Sequence, residues 1–441
     1  MTKRQLLLSA ISFSMLPITV FSVIDHPAPR TNLIAYFNIT TFWWIVIVLI
    51  FVAFLLNSYY YLEKGNSQNM RVIQWYLIWN LFCIVRGGFI SENYWDWKGL
   101  IGNSFGLLVP LVAYSALNIK LLQSILTNYL KYVLPLFLVF FIIINTDSYG
   151  FYLVPIGFLM LFFPVLSVRW KWIIAIFTVL VMSIDLGARS NVIKFGVPSM
   201  LMLLYYVRFN VYTKLLEIIR ITLIIIPVIL FSLAVSGLFN VFEIDKYVKK
   251  DYNTVERDAN GNIVEDDLKA DTRTFLYVEV LYSAKVFNSW IIGRSPARGN
   301  LSETFGYGED KSGRVGERLG NEVAILNVFT WTGIVGVVLY LFVFYRASYL
   351  AVNQSNNIFS KIIGLFIAFR WAYAWVEDIN YFTLTTVFLW LTIGFCFSKS
   401  FRSMSDKDVQ HWVRGIFKFQ NGLTKRELQK LKMKRIAENN Q

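Results

Sequence analysis

Runs of about 17–25 consecutive apolar residues recur along this sequence, and a run of that length is what a helix needs to cross the hydrocarbon core of a bilayer. A chain built this way has few choices, because in lipid every backbone N–H and C=O must be satisfied inside a helix or a closed barrel. The weaker alternating pattern of barrel strands is absent, which leaves helices. Composition agrees: the 441 residues are 56% hydrophobic and only 16% charged, with mean hydropathy +0.51, far from a soluble globular average. The expected fold is an all-α polytopic membrane protein.

Met1 to Ile24 begins with Lys3 and Arg4 and continues as an apolar run, either a signal peptide or a first span. No small-x-small cleavage pattern precedes Asp25-His26-Pro27, which favours a retained helix. Further spans are expected near 41–60, 72–91, 100–117, 132–145, 150–168, 172–186, 190–207, 219–238, 321–345, 359–376 and 380–398, making twelve with both termini on one side. Lys and Arg of the short loops orient them. Thirteen fall on one side, and six (Arg30, Arg86, Lys98, Arg189, Lys194 and Arg370) on the other; the richer side is cytoplasmic by the positive-inside rule. The formal net charge of +14 is then read as helix-end and inner-leaflet charge, not as a nucleic-acid surface.

The chain therefore divides into a bundle over 1–238, a long outer loop over 239–320, a second bundle over 321–398, and a basic cytoplasmic tail over 399–441. The loop's first part is highly charged, with a turn signal at Asn260-Gly261; Glu265, Asp266 and Asp267 read as a solvated surface, with a metal site as the alternative. From Thr272 to Asn288, Phe275, Val278, Tyr282 and Val286 recur at helical spacing, with Asp271 as N-cap and Arg273 in the first turn. This predicts a helix lying on the membrane surface, whose N-terminal end would help Arg273 attract an anion. In the tail, Thr424 to Glu427 has capping-box spacing ahead of Leu428, Leu431 and Ile436, an expected inner-leaflet anchor. Cys83 and Cys396 lie inside apolar spans and give neither a disulfide framework nor metal-ligand spacing, and His26 and His411 stand far apart.

Charges in unfavourable places mark the candidate site. Arg86, Arg189 and Arg370 stand at or within apolar runs, where a charge near mid-bilayer costs about 2.5–3.5 kcal/mol. All fall toward the outer ends of their helices, with Glu377 and Asp378 on the same face as Arg370 and with Asp185 just before Arg189. Snorkelling and local ion pairs explain any one of them. Taken with Arg273, Arg294, Arg298, Arg314, Arg318 and Glu322, they imply one basic, outward-facing cavity. Guanidinium groups suit phosphate because each donates two parallel hydrogen bonds and stays charged when partly desolvated. A lipid-attached pyrophosphate is the natural anion at this depth. No Walker loop, dinucleotide fingerprint or acidic metal pair occurs, so no metal or other cofactor is expected.

Three stretches carry a resemblance. D-L-G-A-R-S-N-V-I-K-F-G around Arg189, D-T-R-T-F-L-Y-V-E-V-L-Y-S-A-K-V-F-N-S-W-I-I-G-R-S from Asp271, and N-E-V-A-I-L-N-V-F-T-W-T-G-I-V-G-V-V-L-Y from Asn321 resemble the O-antigen ligase and polymerase superfamily of GT-C type membrane glycosyltransferases. The resemblance implies a polyprenyl-diphosphate-linked oligosaccharide as substrate, membrane lipid around it, and a chain-length regulator and a flippase as partners. It implies that Arg189 and Arg273 bind the diphosphate, while Asn321 and Glu322 stand where the reacting sugar enters. Ligases of the family carry a histidine where this chain reads Gly320-Asn321-Glu322, which favours the polymerase. Glu322 is then the first choice of base, with Glu377 or Asp378 behind it. A ligase, a lipid-glycan flippase and a structural partner of the polysaccharide machinery are the alternatives.

Overall fold

A computed structural model describes residues 2–24, 39–63, 70–184, 189–207, 213–242, 253–257, 263–267, 273–302 and 316–417. Its elements are α1 (Lys3–Phe13), α2 (Met15–Val23), α3 (Thr40–Glu63), α4 (Arg71–Ile90), α5 (Tyr94–Leu108), α6 (Ile119–Asn128), α7 (Leu134–Ile143), α8 (Tyr149–Tyr152), α9 (Val154–Met160), α10 (Val168–Ser183), α11 (Arg189–Met202), α12 (Thr213–Val235), β1 (Asn253–Arg257), β2 (Ile263–Asp267), α13 (Thr274–Val286), β3 (Asn300–Leu301), β4 (Glu317–Arg318), α14 (Ala324–Asn353), α15 (Ile358–Tyr373), α16 (Leu384–Phe397), α17 (Lys399–Arg402) and α18 (Asp406–Ile416). The architecture is all-α apart from two small antiparallel pairs in the long loop, β1 with β2 and β3 with β4. The first pair straddles Asn260-Gly261, with Asn253 opposite Asp267.

Seven helical stretches among the described residues are long and apolar enough to cross a membrane: Lys3–Val23, Thr40–Tyr61, Arg71–Ile90, Tyr94–Leu117, Ile119–Ile143, Thr213–Val235 and Ala324–Asn353. Their outer faces are bare hydrocarbon. Ile45, Leu49, Val52 and Leu56 on α3, and Trp75, Ile78 and Val85 on α4, are all exposed. A soluble monomer does not carry apolar patches of this size, whereas lipid requires them.

Twelve spans are expected, and among the described residues seven stretches meet the length and hydropathy of one. The expected span 150–168 is three pieces, α8, α9 and a 3₁₀ turn over Phe163–Val165, because Pro155 and Pro164 each remove a backbone donor and obstruct the preceding turn. Leu153, Ile156, Leu159 and Phe162 bury this broken backbone in protein, the setting in which irregular chain is tolerated at membrane depth. The regions expected at 172–186, 190–207, 359–376 and 380–398 hold α10, α11, α15 and α16, of 16, 14, 16 and 14 residues, short of the roughly 20 that a span needs. Every residue of α16 is buried, so it is a central pillar, apolar all round. It touches its neighbours closely: a Cβ on Gly394 would lie 2.0 Å from the Ala113 carbonyl oxygen.

The bundle has a polar end on each side. One gathers the C-terminal ends of α4, α12 and α15 with the N-terminal ends of α11, α14 and α16, and carries the long loop. At the opposite end α18 packs Val409, Trp412, Val413 and Ile416 against the bundle, started by a capping box between Ser405 and Asp408. The expected tail helix around Leu428 lies outside the described residues.

Candidate functional site

The loop helix α13 delivers Arg273. This residue occupies the N-cap position; Asp271, expected there, lies outside the described residues. Its Nη1 meets Glu322 Oε2 at 2.5 Å and its Nε donates to the Val376 carbonyl at 3.2 Å. One turn on, the Tyr277 hydroxyl donates to the Trp375 carbonyl at 2.5 Å, fixing α13 to the turn that follows α15. Leu276, Val280, Ser283 and Ala284 form the buried face of α13, while Val278, Tyr282 and Val286 are exposed.

The turn over residues 374–383 organises the remainder. The first N–H groups of a helix have no intrahelical partner, and those of α14 are taken by this turn: Ala324 N donates to the Glu377 carbonyl at 3.2 Å and Ile325 N to that of Ala374 at 3.0 Å. Asn380 Nδ2 returns to the Ala324 carbonyl at 2.6 Å. Asn327 accepts from Asn321 N at 2.6 Å and donates to the Asn321 carbonyl at 2.8 Å and to Asp378 Oδ1 at 3.3 Å. Asn380 N also donates to Asp378 Oδ1, at 2.9 Å. Burial of its carboxyl pushes Asp378 up to about 7, assisted by the neighbouring Glu377 charge and opposed by the Asn380 and Asn327 hydrogen bonds. Glu377 pairs with Lys194 of α11 at 3.4 Å, and Lys194 also donates to Ser190 Oγ at 3.1 Å.

Five of the expected residues thus meet at one end of the bundle: Arg273, Glu322, Glu377, Asp378 and Asn321. Asn321 is 2% exposed and its amide binds Asn300 Oδ1 at 3.0 Å, so it braces the site from within. Arg189, exposed, opens α11 next to Ser190. Lys194 also belongs to the cluster; the sequence marks it only as an outer-side charge, and its four-residue spacing from Ser190 on one helix face is the signal that joins it to the site.

The other arginines do different work. Arg294 pairs with Glu317 at 2.7 Å, donates to the Gly299 carbonyl at 2.6 Å and stacks on the Phe287 ring at 3.6 Å. Arg298, 7% exposed, lies between Glu92 at 3.5 Å and Asp96 at 3.9 Å. Arg318 stands over the Phe275 ring at 5.7 Å while its backbone pairs with Asn300. Arg86 donates to the carbonyls of Ile292 and Gly293 at 2.8 and 2.9 Å. Arg370 is 4% exposed and faces an internal cavity. Arg314 lies outside the described residues. The expected single cavity is therefore a smaller charged cluster, with Arg86 and Arg298 fastening the loop to the bundle beside it and Arg294 bracing the loop internally.

Beside Arg273, an apolar groove of about 200 Å³ runs between α12 and α13, lined by Pro227, Phe231, Thr274, Tyr277, Trp375 and Val376 among others. Arg273 adjoins it through its hydrogen bond to the Val376 carbonyl, and on α12 the neighbouring Ile225, Val228 and Ile229 are exposed. Chemically, the arrangement offers a guanidinium, a carboxyl near neutrality and an apolar channel side by side. Among the described residues no three His, Cys, Asp or Glu side chains gather as a metal-binding group. Comparisons with protein-family models, with curated proteins and with solved structures return no match to this chain.

Proposed function

We propose that this protein is a membrane glycosyltransferase that joins polyprenyl-diphosphate-linked oligosaccharide repeat units into a surface polysaccharide at the outer face of the cytoplasmic membrane, with both termini cytoplasmic. The observation that supports it most is the adjacency of a charged cluster and an apolar groove: Arg273 is hydrogen-bonded to the carbonyl of Val376, which lines the groove, an arrangement that suits an amphiphile with an anionic head and a long hydrocarbon tail.

In this reading Arg273 and Arg189 hold the diphosphate. The Arg273–Glu322 pair is open to solvent on the Glu322 side, 62% exposed, and such pairs contribute about 0–1 kcal/mol, so an incoming diphosphate displaces the Glu322 carboxylate at little cost. The acceptor sugar hydroxyl gives its proton to a carboxylate as its oxygen bonds to the donor sugar carbon, and the carbon–oxygen bond to the diphosphate breaks with the charge left on the arginines. Asp378, with its pKa near 7, suits the base role better than Glu322, which serves as counter-ion to Arg273. Glu377 is held by Lys194 as a fixed charge beside it.

Removing the protein from its cell and resolving surface glycans by size tests the reading. Loss of long chains with single repeats retained is the expected result. Free lipid-linked polymer indicates a ligase, complete loss of glycan a flippase, and an unchanged ladder rejects all three.

A further inference from the structure

The bundle interior holds a second polar feature that the proposed reaction does not use. Between α9, α11, α15 and α16 lies a cavity of about 40 Å³, walled by Phe158, Phe195 and Phe388 and by the polar residues Lys194, Arg370 and Thr385. Both cations are buried, Lys194 at 9% and Arg370 at 4% exposure. Lys194 has a carboxylate, Glu377, at 3.4 Å. Arg370 has none within ion-pair distance among the described residues: Glu377 acts on it only from farther off, its Nη2 lacks a hydrogen-bond partner, and it stands over the Tyr373 ring at 5.1 Å. Thr385 Oγ1, 7% exposed on the same wall, also lacks a partner.

The Arg370 guanidinium and the Thr385 hydroxyl left over here can both donate, and two buried cations, Lys194 and Arg370, share the one Glu377 carboxylate, which leaves a positive charge in excess. Burying an unpaired charge is far more costly than burying a paired one. A water could accept hydrogen bonds from Arg370 and Thr385, but it would leave the charge unbalanced. The space exceeds the roughly 10–15 Å³ that one water needs and falls well short of the several hundred Å³ of an organic-ligand site. We propose that a small monovalent anion of chloride size occupies this cavity, bound by Arg370 and Thr385 with Lys194 alongside, and ties α11 to α15 and α16 beneath the charged cluster. The site stands independently of the glycan reading.

The test uses the full-length protein in nanodiscs, with sodium chloride exchanged for sodium gluconate at fixed ionic strength. The thermal midpoint rises saturably with chloride and with bromide, as mass action on a folded-state site requires. Thr385→Val, which keeps the side chain's shape and removes its donor, raises the half-saturating chloride concentration several-fold. Arg370→Met, where it folds, abolishes the dependence. A midpoint equal in chloride and gluconate overturns the site. So does a halide dependence left unchanged by Thr385→Val, whatever becomes of Arg370→Met.

Discussion

Asp378 gives the site a pH signature. Its carboxyl titrates at about 7 in the folded protein against an ordinary value of 3.8, so between these the folded state holds a proton that the unfolded chain has released. This group's contribution to stability is therefore full below pH 3.8 and is lost as pH rises toward 7. Asp378→Asn is expected to remove that slope from the pH dependence of the thermal midpoint. In a transfer assay the wild type should gain activity as pH rises through about 7, and Asp378→Asn should be slow with no such limb. Arg273→Lys keeps the charge and loses the planar fork; transfer should fall at least about tenfold, the equivalent of about 1.4 kcal/mol, at undiminished protein level by immunoblot. Arg273, Glu322, Glu377 and Asp378 were legible in the sequence because carboxylates and a guanidinium beside hydrocarbon need a reason. The roles of Arg86, Arg294 and Arg298 were not: their partners, the Ile292 carbonyl, Glu317 and Asp96, lie between 23 and 206 residues away along the chain, and sequence spacing carries no trace of them.

At the scale of elements, α14 depends on a deliberate break. Gly333 inside it adopts φ 68°, ψ −170°, and the loop segment around Gly293, also at φ 68°, threads against the opening. Arg294 N donates to the Thr330 carbonyl at 2.6 Å and Ile334 N to the Trp290 carbonyl at 2.9 Å, while Trp79 Nε1 reaches the Thr332 carbonyl at 3.0 Å. With Arg86 on the Ile292 and Gly293 carbonyls, the polar backbone exposed by the break is satisfied, as the membrane interior demands. A Cβ on Gly333 would stand 2.1 Å from the Ile291 carbonyl oxygen, in a backbone region costing a non-glycine residue about 1–3 kcal/mol. Gly333→Ala should therefore lower the thermal midpoint and reduce the folded yield in detergent by size-exclusion chromatography. Arg86→Met, which removes the donor of the Ile292 and Gly293 carbonyls at about 0.5–1.5 kcal/mol per hydrogen bond, should lower both as well. The glycines of T-G-I-V-G and I-I-G-R were visible as signals. That they belong to one crossing, 40 residues apart, was not, since the contact is tertiary.

Across the whole molecule, hydropathy foretold an all-α membrane protein because the length of an apolar run maps onto helix length by geometry alone. It overstated continuity where proline intervened, at Pro155 and Pro164, and where helices buried all round, such as α16, need no full bilayer thickness. The helix α18 went unread, although Ser405 with Asp408 is a capping pair and Val409, Trp412, Val413 and Ile416 hold one face at helical spacing. The common polarity of the helix ends is what lets Arg273, Lys194 and the turn over 374–383 meet, and on that meeting the account rests. Its most direct test is extension of a purified lipid-linked repeat unit by the protein reconstituted in nanodiscs, with products separated by length. Wild type should build a ladder and Arg273→Lys should leave the single unit unextended; a wild-type ladder from Arg273→Lys, or no extension by the wild type, would contradict it.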